Sequence, residues 1–157
     1  MKDDLAQTFL NEASQLEIRV ANLYTLFAGS FPEDADFWRQ LAHEEKDHAA
    51  LIRTIKGNPN WSDKFVSTFA SGLLQEIRKT NQWLSSLYAE FSAKKSDRKT
   101  ALNTARQIEK SAGEIDYENF MVQETDSWIL KGLQRLNEYE RDHLKRIEEY
   151  MLKNNLL

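Results

Sequence analysis

The sequence predicts an all-α protein, a four-helix bundle in which a long helical crossover joins the second helix to the third. Apolar residues recur at the spacing of amphipathic helices along most of the chain. With 29% charged residues and only 5 glycines and 2 prolines in 157 residues, few positions disfavour helix. The length suits a single domain over residues 1–157 with a sizeable core.

The first two predicted helices form a closely joined antiparallel pair. Helix one begins at Asp3 or Asp4, acidic residues suited to a helix start, and ends near Gly29. The segment from Ser30 to Glu33 matches a capping box with a proline in the first turn, so helix two is predicted to begin there and to end near residue 56.

Residues 57–96 are predicted to form the crossover. The stretch from Asn58 to Asn60 contains a proline and breaks the helical pattern, which resumes from Phe65 to Phe91 with Ser71-Gly72 as a candidate interruption. The roughly 22 residues after that glycine span about 33 Å as a helix. That length can return the chain to the end of the bundle where it began.

The second helical pair, at about residues 97–153, is predicted to repeat the first pair at about 3–56. Ser96-Asp97 caps helix three, which continues to about Glu124. A short turn from Thr125 to Ser127 then leads into helix four.

A Glu-x-x-His motif occurs once in each half of the chain, as Glu45 with His48 and as Glu140 with His143. Residues three apart on a helix share a face, with Cβ atoms about 5 to 6 Å apart, so each motif can present a carboxylate and an imidazole to one point. Flanking apolar residues continue the same stripe, which predicts that both motifs face the core. These residues are Leu41, Ile52, Ile55, Leu133, Leu136 and Ile147.

A second repeat nominates one further glutamate in each half, because Ala13 to Glu17 matches Ala105 to Glu109. In an antiparallel hairpin, residues at one level lie equally far from the turn, and this condition places Glu17 and Glu109 beside the motifs of their own halves. Glu114 is the rival in helix three, but it would require a turn inside helix four. We therefore favour Glu109.

The resulting set has four carboxylates and two imidazoles: Glu17, Glu45, His48, Glu109, Glu140 and His143. One glutamate from each of two helices and a Glu-x-x-His pair from each of the other two is the ligand arrangement of di-iron and di-manganese bundles. Four buried carboxylates repel one another, and two divalent cations neutralise them. Oxygen and imidazole ligands favour iron, with manganese as the alternative. We predict two iron ions as the cofactor and no catalytic residue beyond their ligands.

Composition excludes several other functions. A formal charge of -4 and a pI near 5.5 give no basic surface for nucleic acid. The absence of cysteine excludes disulfides, thiolate zinc sites, iron–sulfur clusters and cysteine nucleophiles. No apolar run is long enough for a bilayer, and the acidic start at residues 1–4 is unlike a signal peptide, so a cytoplasmic location is predicted.

Other polar and aromatic candidates are interpreted as structural. His43 is predicted to be a surface residue, and Asp47 and Asp142 to be solvated acids rather than partners that orient the histidines. Tyr24 is interpreted as helix packing rather than as a hydrogen-bond donor near the site. Packing is also predicted, in preference to electron relay, for the four tryptophans, Trp38, Trp61, Trp83 and Trp128.

The two halves resemble the rubrerythrin-like branch of the ferritin-like superfamily. The resemblance rests on Ala13 to Tyr24 with Glu45 to His48, and on Ala105 to Asp116 with Glu140 to His143, and it covers most of the chain except the crossover. It implies a ferritin-like bundle whose carboxylate-bridged di-iron centre reduces hydrogen peroxide or dioxygen, or oxidises ferrous iron.

Two features differ from the rubrerythrin pattern. Rubrerythrins carry a rubredoxin-type Cys-x-x-Cys iron domain, and because this chain has no cysteine the resemblance implies a separate electron-donor protein. They also carry a glutamate three residues beyond the helix-three ligand, where this chain has Ala112. We predict an oxidoreductase acting on peroxide or dioxygen, with the chain expected to form a homodimer. The alternatives are an iron-binding ferroxidase and, less favoured, a metal-free helical interaction module.

Overall fold

The computed structural model describes the backbone of residues 2–56, 64–114 and 128–157, and side chains within 5–56, 72–111 and 131–157. Every regular element in these ranges is a helix, which confirms the all-α prediction. The elements are α1 (Lys2–Ser30), a 3-10 turn (Pro32–Asp34), α2 (Ala35–Lys56), α3 (Lys64–Ala93), α4 (Arg98–Glu114) and α5 (Trp128–Lys153). None of these helices is long and apolar enough to cross a membrane.

Some predictions fall on residues outside the described ranges. They are the breaker at 58–60, the end of helix three near Glu124, the turn at 125–127 and the packing of Trp61 and Trp128.

The connection between α1 and α2 differs from the predicted capping box. Ser30 is the last residue of α1, and its hydroxyl donates to the carbonyl of Leu26 at 2.9 Å instead of capping the next helix. Phe31 follows with its side chain buried in the core, and the proline opens a 3-10 turn rather than α2. Because the buried phenylalanine fixes the path of the chain here, α2 begins only at Ala35.

The predicted interruption of the crossover helix is absent, since α3 runs through Ser71-Gly72 without a break. A helical glycine costs about 1 kcal/mol relative to alanine. The buried side chains of Leu73, Leu74 and Ile77 directly after it offset this cost. The start of α4 agrees with the prediction, because Asp97 accepts a hydrogen bond from the backbone N–H of Thr100 at 2.7 Å.

The helices pack in a pattern that brings the two motifs together. Helix α1 packs against α2 and α3, and α4 packs against α5. Helix α2 also contacts α5, and these are the two helices that carry the Glu-x-x-His motifs. The motif residues therefore lie between the helices, within one apolar core to which all five contribute.

A buried carboxylate ties the two halves together at one end of the molecule. Asp34 in the 3-10 turn accepts two hydrogen bonds from the guanidinium of Arg98, at 2.7 and 2.6 Å. It accepts a third, at 2.6 Å, from the hydroxyl of Tyr150 near the end of α5. The turn after α1 is thus fixed against the start of α4 and the end of α5, which sets the relative position of the helical pairs.

Candidate metal centre

The structure brings all six predicted ligands to one buried place. Each of the six residues is no more than 9% exposed. They are Glu17 on α1, Glu45 and His48 on α2, Glu109 on α4, and Glu140 and His143 on α5. The side chain of the rival Glu114 lies outside the described residues. Glu109 lies in this buried cluster, as the internal repeat predicted.

His48 faces carboxylates from three helices through a single nitrogen. Its Nδ1 lies 3.1 Å from Glu45 Oε2, 3.4 Å from Glu140 Oε1 and 3.7 Å from Glu17 Oε2. Since two of these carboxylates approach the same atom from α1 and α5, the glutamates of the two halves share one site rather than forming two separate ones.

His143 faces the cluster in the same way from the other side. Its Nδ1 lies 2.8 Å from Glu45 Oε1 and 3.8 Å from Glu109 Oε2. Glu45 thus places one carboxylate oxygen at each histidine, and the two imidazole rings lie 5.2 Å apart between centroids. Glu45 therefore lies between the two histidines.

Several atoms of the cluster are buried without a hydrogen-bond partner, namely Glu45 Oε1, Glu109 Oε2, Glu140 Oε1 and His143 Nδ1. The short approach of Glu45 to His143 lacks hydrogen-bond alignment. An unsatisfied buried polar group costs about 1 to 3 kcal/mol, so such atoms rarely gather without a ligand. Ligand atoms of both motif pairs lie within 4.8 Å of one another, so this buried group can hold a metal ion.

Glu17 and Glu140, two of the three carboxyl groups around His48, prefer to be protonated when no metal is bound. Burial raises the pKa of Glu17 well above its usual range, and the charge of Glu140 raises it further. Burial and the neighbouring charge of Glu109 raise the pKa of Glu140 to about 8. Both shifts follow from packing several carboxylates into a region of low dielectric.

The same carboxylates favour the protonated, cationic form of both histidines. Burial opposes protonation of His48, but contacts with the carboxylates of Glu140 and Glu17 outweigh it and raise its pKa to about 12. Burial likewise opposes protonation of His143, but Glu109 and Glu45 raise its pKa to about 11. The metal-free cluster therefore holds protons, and a metal ion must displace them when it binds.

Glu44 is a residue of the site that the sequence interpretation missed. Its Oε2 lies 2.8 Å from His143 Nε2, the nitrogen that faces away from the cluster, and accepts a hydrogen bond from Arg146 at 2.6 Å. Burial raises the pKa of Glu44, but the hydrogen bonds from Arg146 and His143 lower it more. A carboxylate on the outer nitrogen fixes the tautomer and orientation of a ligating histidine. The sequence contains only a weak signal for this contact. Glu44 directly precedes the motif residue Glu45, and Arg146 lies three residues after the motif residue His143.

Tyr24 is a second correction. The residue packs in the core as predicted, but its hydroxyl also donates a hydrogen bond to Glu109 Oε1 across the bundle. Burial and the adjacent Glu109 carboxylate raise the pKa of Tyr24 well above its usual range. Its position seven residues after Glu17, on the same helix face, was the signal in the sequence.

The three surface predictions near the motifs are confirmed. His43 is exposed and lies 3.6 Å from the exposed carboxylate of Asp47. Asp142 is exposed and lies 3.2 Å from Arg146. Neither aspartate has a recorded contact with His48 or His143.

A surface pocket of about 450 Å³ reaches the histidine side of the cluster, between α2 and α5. His48 and His143 line its inner wall, with Glu44, Tyr139 and Arg146 around them. Tyr139 stacks on the imidazole of His48, with ring centroids 5.1 Å apart and planes 8° from parallel. Of the six cluster residues only the two histidines line this pocket, so it lies against the outer side of the cluster.

Comparison of the chain with models of known protein families, with curated proteins and with solved structures gave no match. The chemistry of the site is therefore argued from its own residues.

Proposed function

We propose that this protein is a di-iron carboxylate oxidoreductase that reduces hydrogen peroxide or dioxygen with electrons from a separate donor protein. The observation that carries the proposal is the position of Glu45, which places one carboxylate oxygen at each of two buried histidines. A single mononuclear site has no use for a carboxylate in that position, whereas a dinuclear centre needs one.

The proposed fold is a ferritin-like four-helix bundle of the rubrerythrin type, in which α1, α2, α4 and α5 surround the site and α3 is the crossover. Its support is the pairing of α1 with α2 and of α4 with α5. In each pair the first helix supplies a lone glutamate and the second a Glu-x-x-His pair. This distribution of ligands is the one found in di-iron bundles.

Two ferrous ions fit the donor set. Four carboxylates balance the charge of two divalent cations. Mixed oxygen and imidazole donors suit iron or manganese better than calcium, and there is no thiolate to favour zinc or copper(I). Glu17, Glu45, Glu109 and Glu140 would hold the ions together with the Nδ1 atoms of His48 and His143. When bound, iron supplies the electrons that reduce the oxidant. Glu44 and Arg146 hold His143 in place, and the pocket over the histidines admits a molecule as small as peroxide.

A ferroxidase role, with ferrous iron as the substrate, is the second candidate. The observation in its favour is that three carboxylates, Glu44, Asp47 and Asp142, line the pocket beside the cluster and outnumber its two arginines, Arg135 and Arg146. Acidic side chains at an entrance raise the local concentration of cations.

Anaerobic reconstitution followed by stopped-flow mixing tests the proposal. Protein loaded with two ferrous ions per chain is mixed separately with peroxide and with dioxygen, and we expect faster oxidation by peroxide. Repeated turnover with a reductant, without loss of bound iron, supports the oxidoreductase; release of ferric iron after one oxidation supports the ferroxidase. Glu45→Gln should abolish both reactions, and Glu76→Gln, an exposed glutamate on α3, is the matched control. Failure of the unaltered protein to bind more than one ion per chain contradicts a dinuclear centre.

A further inference from the structure

We propose that Tyr24, Trp38 and Tyr150 form a one-electron relay between the carboxylate cluster and the surface near the α1–α2 turn. The proposal rests on the proposed redox function, because a relay needs an oxidised site at its inner end. It gives Trp38 a role beyond the packing that its sequence context predicted.

The relay follows a continuous line of aromatic rings. The centroids of Tyr24 and Trp38 lie 5.3 Å apart, and those of Trp38 and Phe37 lie 5.4 Å apart. The ring of Phe37 stacks on Tyr150 at 4.0 Å and 11°. Phe37 is not itself readily oxidised, but it fills the space between Trp38 and Tyr150 with a conjugated ring.

Both tyrosines of this line have a carboxylate positioned to take the phenol proton. The Tyr24 hydroxyl donates to Glu109, and the Tyr150 hydroxyl donates to Asp34 at 2.6 Å. An oxidised phenol is a strong acid, so a hydrogen-bonded carboxylate lowers the barrier to its oxidation. The indole nitrogen of Trp38 has no hydrogen-bond partner among the described residues, so Trp38 keeps its proton and carries charge only in transit.

Burial determines which residues of the relay an external reductant can contact. Tyr24 and Trp38 are 0% exposed, so no external reductant can touch them. Tyr150 is only partly buried and lines a second surface pocket, of about 510 Å³, together with Phe37 and Pro32. A reductant can therefore meet the line at Tyr150 and Phe37, but not at Tyr24 or Trp38.

Each passage moves one electron inward and leaves the protein unchanged. Tyr24 gives an electron to the oxidised site and its phenol proton to Glu109. Trp38 then reduces Tyr24, which recovers that proton, and Tyr150 reduces Trp38 while passing its own proton to Asp34. A one-electron donor at the surface reduces Tyr150, and the proton returns from Asp34. Two passages and two solvent protons convert one peroxide into two waters.

Tyr139 is the competing route, because it stacks on His48 and is exposed. Within the described part of the chain, however, its hydroxyl has no recorded hydrogen-bond acceptor, unlike those of Tyr24 and Tyr150. Tyr139→Phe is thus the matched control, and Tyr88→Phe on α3 is a control for an exposed tyrosine away from the line.

The first test uses metal-free protein, so it does not depend on the di-iron proposal. A laser flash on ruthenium tris-bipyridine with persulfate creates a one-electron oxidant in solution, and the part of the tyrosyl radical absorption that Tyr24→Phe removes reports oxidation of Tyr24. We expect Tyr150→Phe and Trp38→Phe to remove that same part, and Tyr139→Phe and Tyr88→Phe to preserve it. Survival of the Tyr24 signal in folded Tyr150→Phe, or its absence in the unaltered protein, overturns the relay.

The second test uses iron-loaded protein with peroxide and ferrocyanide, an outer-sphere donor too bulky to enter the bundle. Two ferrocyanide ions should be oxidised per peroxide. Tyr150→Phe should slow ferricyanide formation without changing iron content or the first oxidation of the ferrous protein, whereas Tyr139→Phe should not slow ferricyanide formation. Tyr88→Phe, away from the site, is the control expected to leave all three unchanged. The reverse pattern assigns electron entry to Tyr139 and overturns the proposal. Loss of the first oxidation in the unaltered protein instead contradicts the proposed function alone, since the photochemical result stands.

Discussion

His48 and His143 occupy equivalent places in two copies of one motif, yet they have different surroundings. The outer nitrogen of His143 meets Glu44, which Arg146 holds in place. The ring of His48 instead stacks on Tyr139.

The difference arises from one position in the repeat. Glu44 directly precedes Glu45, and Tyr139 directly precedes Glu140. On facing helices, each of these residues reaches the histidine of the other copy. A charged residue at this position therefore anchors one histidine by a hydrogen bond, and an aromatic residue covers the other by stacking. We expect the His143 side to be held more rigidly than the His48 side.

The largest expected effect comes from Glu45, the residue that the two sides share. Glu45→Gln should reduce bound ferrous iron from two ions per chain to fewer than one, because one carboxylate oxygen faces each histidine. Glu17→Gln should weaken only the His48 side and Glu109→Gln only the His143 side. Metal analysis after anaerobic loading measures all three. Loss of a single ion in Glu45→Gln, with the other retained, would show that the two sides are independent.

The next largest effect is on the stability of the metal-free protein. Titratable groups on both sides of the site contribute to it. The pKa of Glu140 rises from 4.5 to about 8, and the pKa values of His48 and His143 rise from 6.5 to about 12 and about 11. Between pH 6.5 and 8 the folded metal-free protein therefore holds more protons than the unfolded chain. The stability present at low pH is lost as pH rises, by about 1.4 kcal/mol per pH unit for each extra proton.

Metal-free protein should consequently have a lower Tm at pH 8 than at pH 6. Ferrous or manganous ions should close or invert this gap, since they bind the deprotonated ligands of the native state alone. Thermal unfolding followed by circular dichroism, with and without metal at both pH values, measures the effect. Equal melting of metal-free and metal-treated protein at pH 8 would mean that the cluster does not bind metal.

A smaller effect is expected from the residue that anchors His143. Glu44→Gln keeps the shape of the side chain but removes its charge, and the loss of such an outer partner typically weakens metal binding by about 10 to 100-fold. Competition with a chromophoric chelator measures the affinity, which should fall on the His143 side only. Asp142→Asn is the control, because Asp142 also contacts Arg146 but has no recorded contact with either histidine.

The smallest effect is expected from Tyr139 on the His48 side. Tyr139→Leu removes the stack, and aromatic pairs contribute about 0.5 to 1.5 kcal/mol. Metal affinity should therefore fall by less than in Glu44→Gln, and Tyr139→Phe should leave it unchanged. A larger loss in Tyr139→Leu than in Glu44→Gln would reverse the comparison between the two histidines.

The sequence could predict which residues meet in the buried cluster because helical periodicity and an internal repeat are both local signals. Three-residue spacing put Glu45 with His48 and Glu140 with His143, and the repeat selected Glu17 and Glu109 without any knowledge of contacts. The connection after α1 was mispredicted for the same reason. The capping pattern at Ser30 is local and predicts the start of a helix there. The burial of Phe31 depends on the whole core, so a local pattern does not include it.

By itself, the sequence determined that the protein is helical and that its carboxylates and histidines face inward, because both properties follow from the spacing of side chains along one helix. Only the tertiary structure decided that the hydroxyl of Tyr24 donates a hydrogen bond to Glu109, and that Glu44 contacts a histidine of the cluster whereas Asp47 contacts the exposed His43. Glu44 and His143 are 99 residues apart. Whether they touch depends on how two helices are rotated and staggered against each other, and the packing of the whole core sets those quantities.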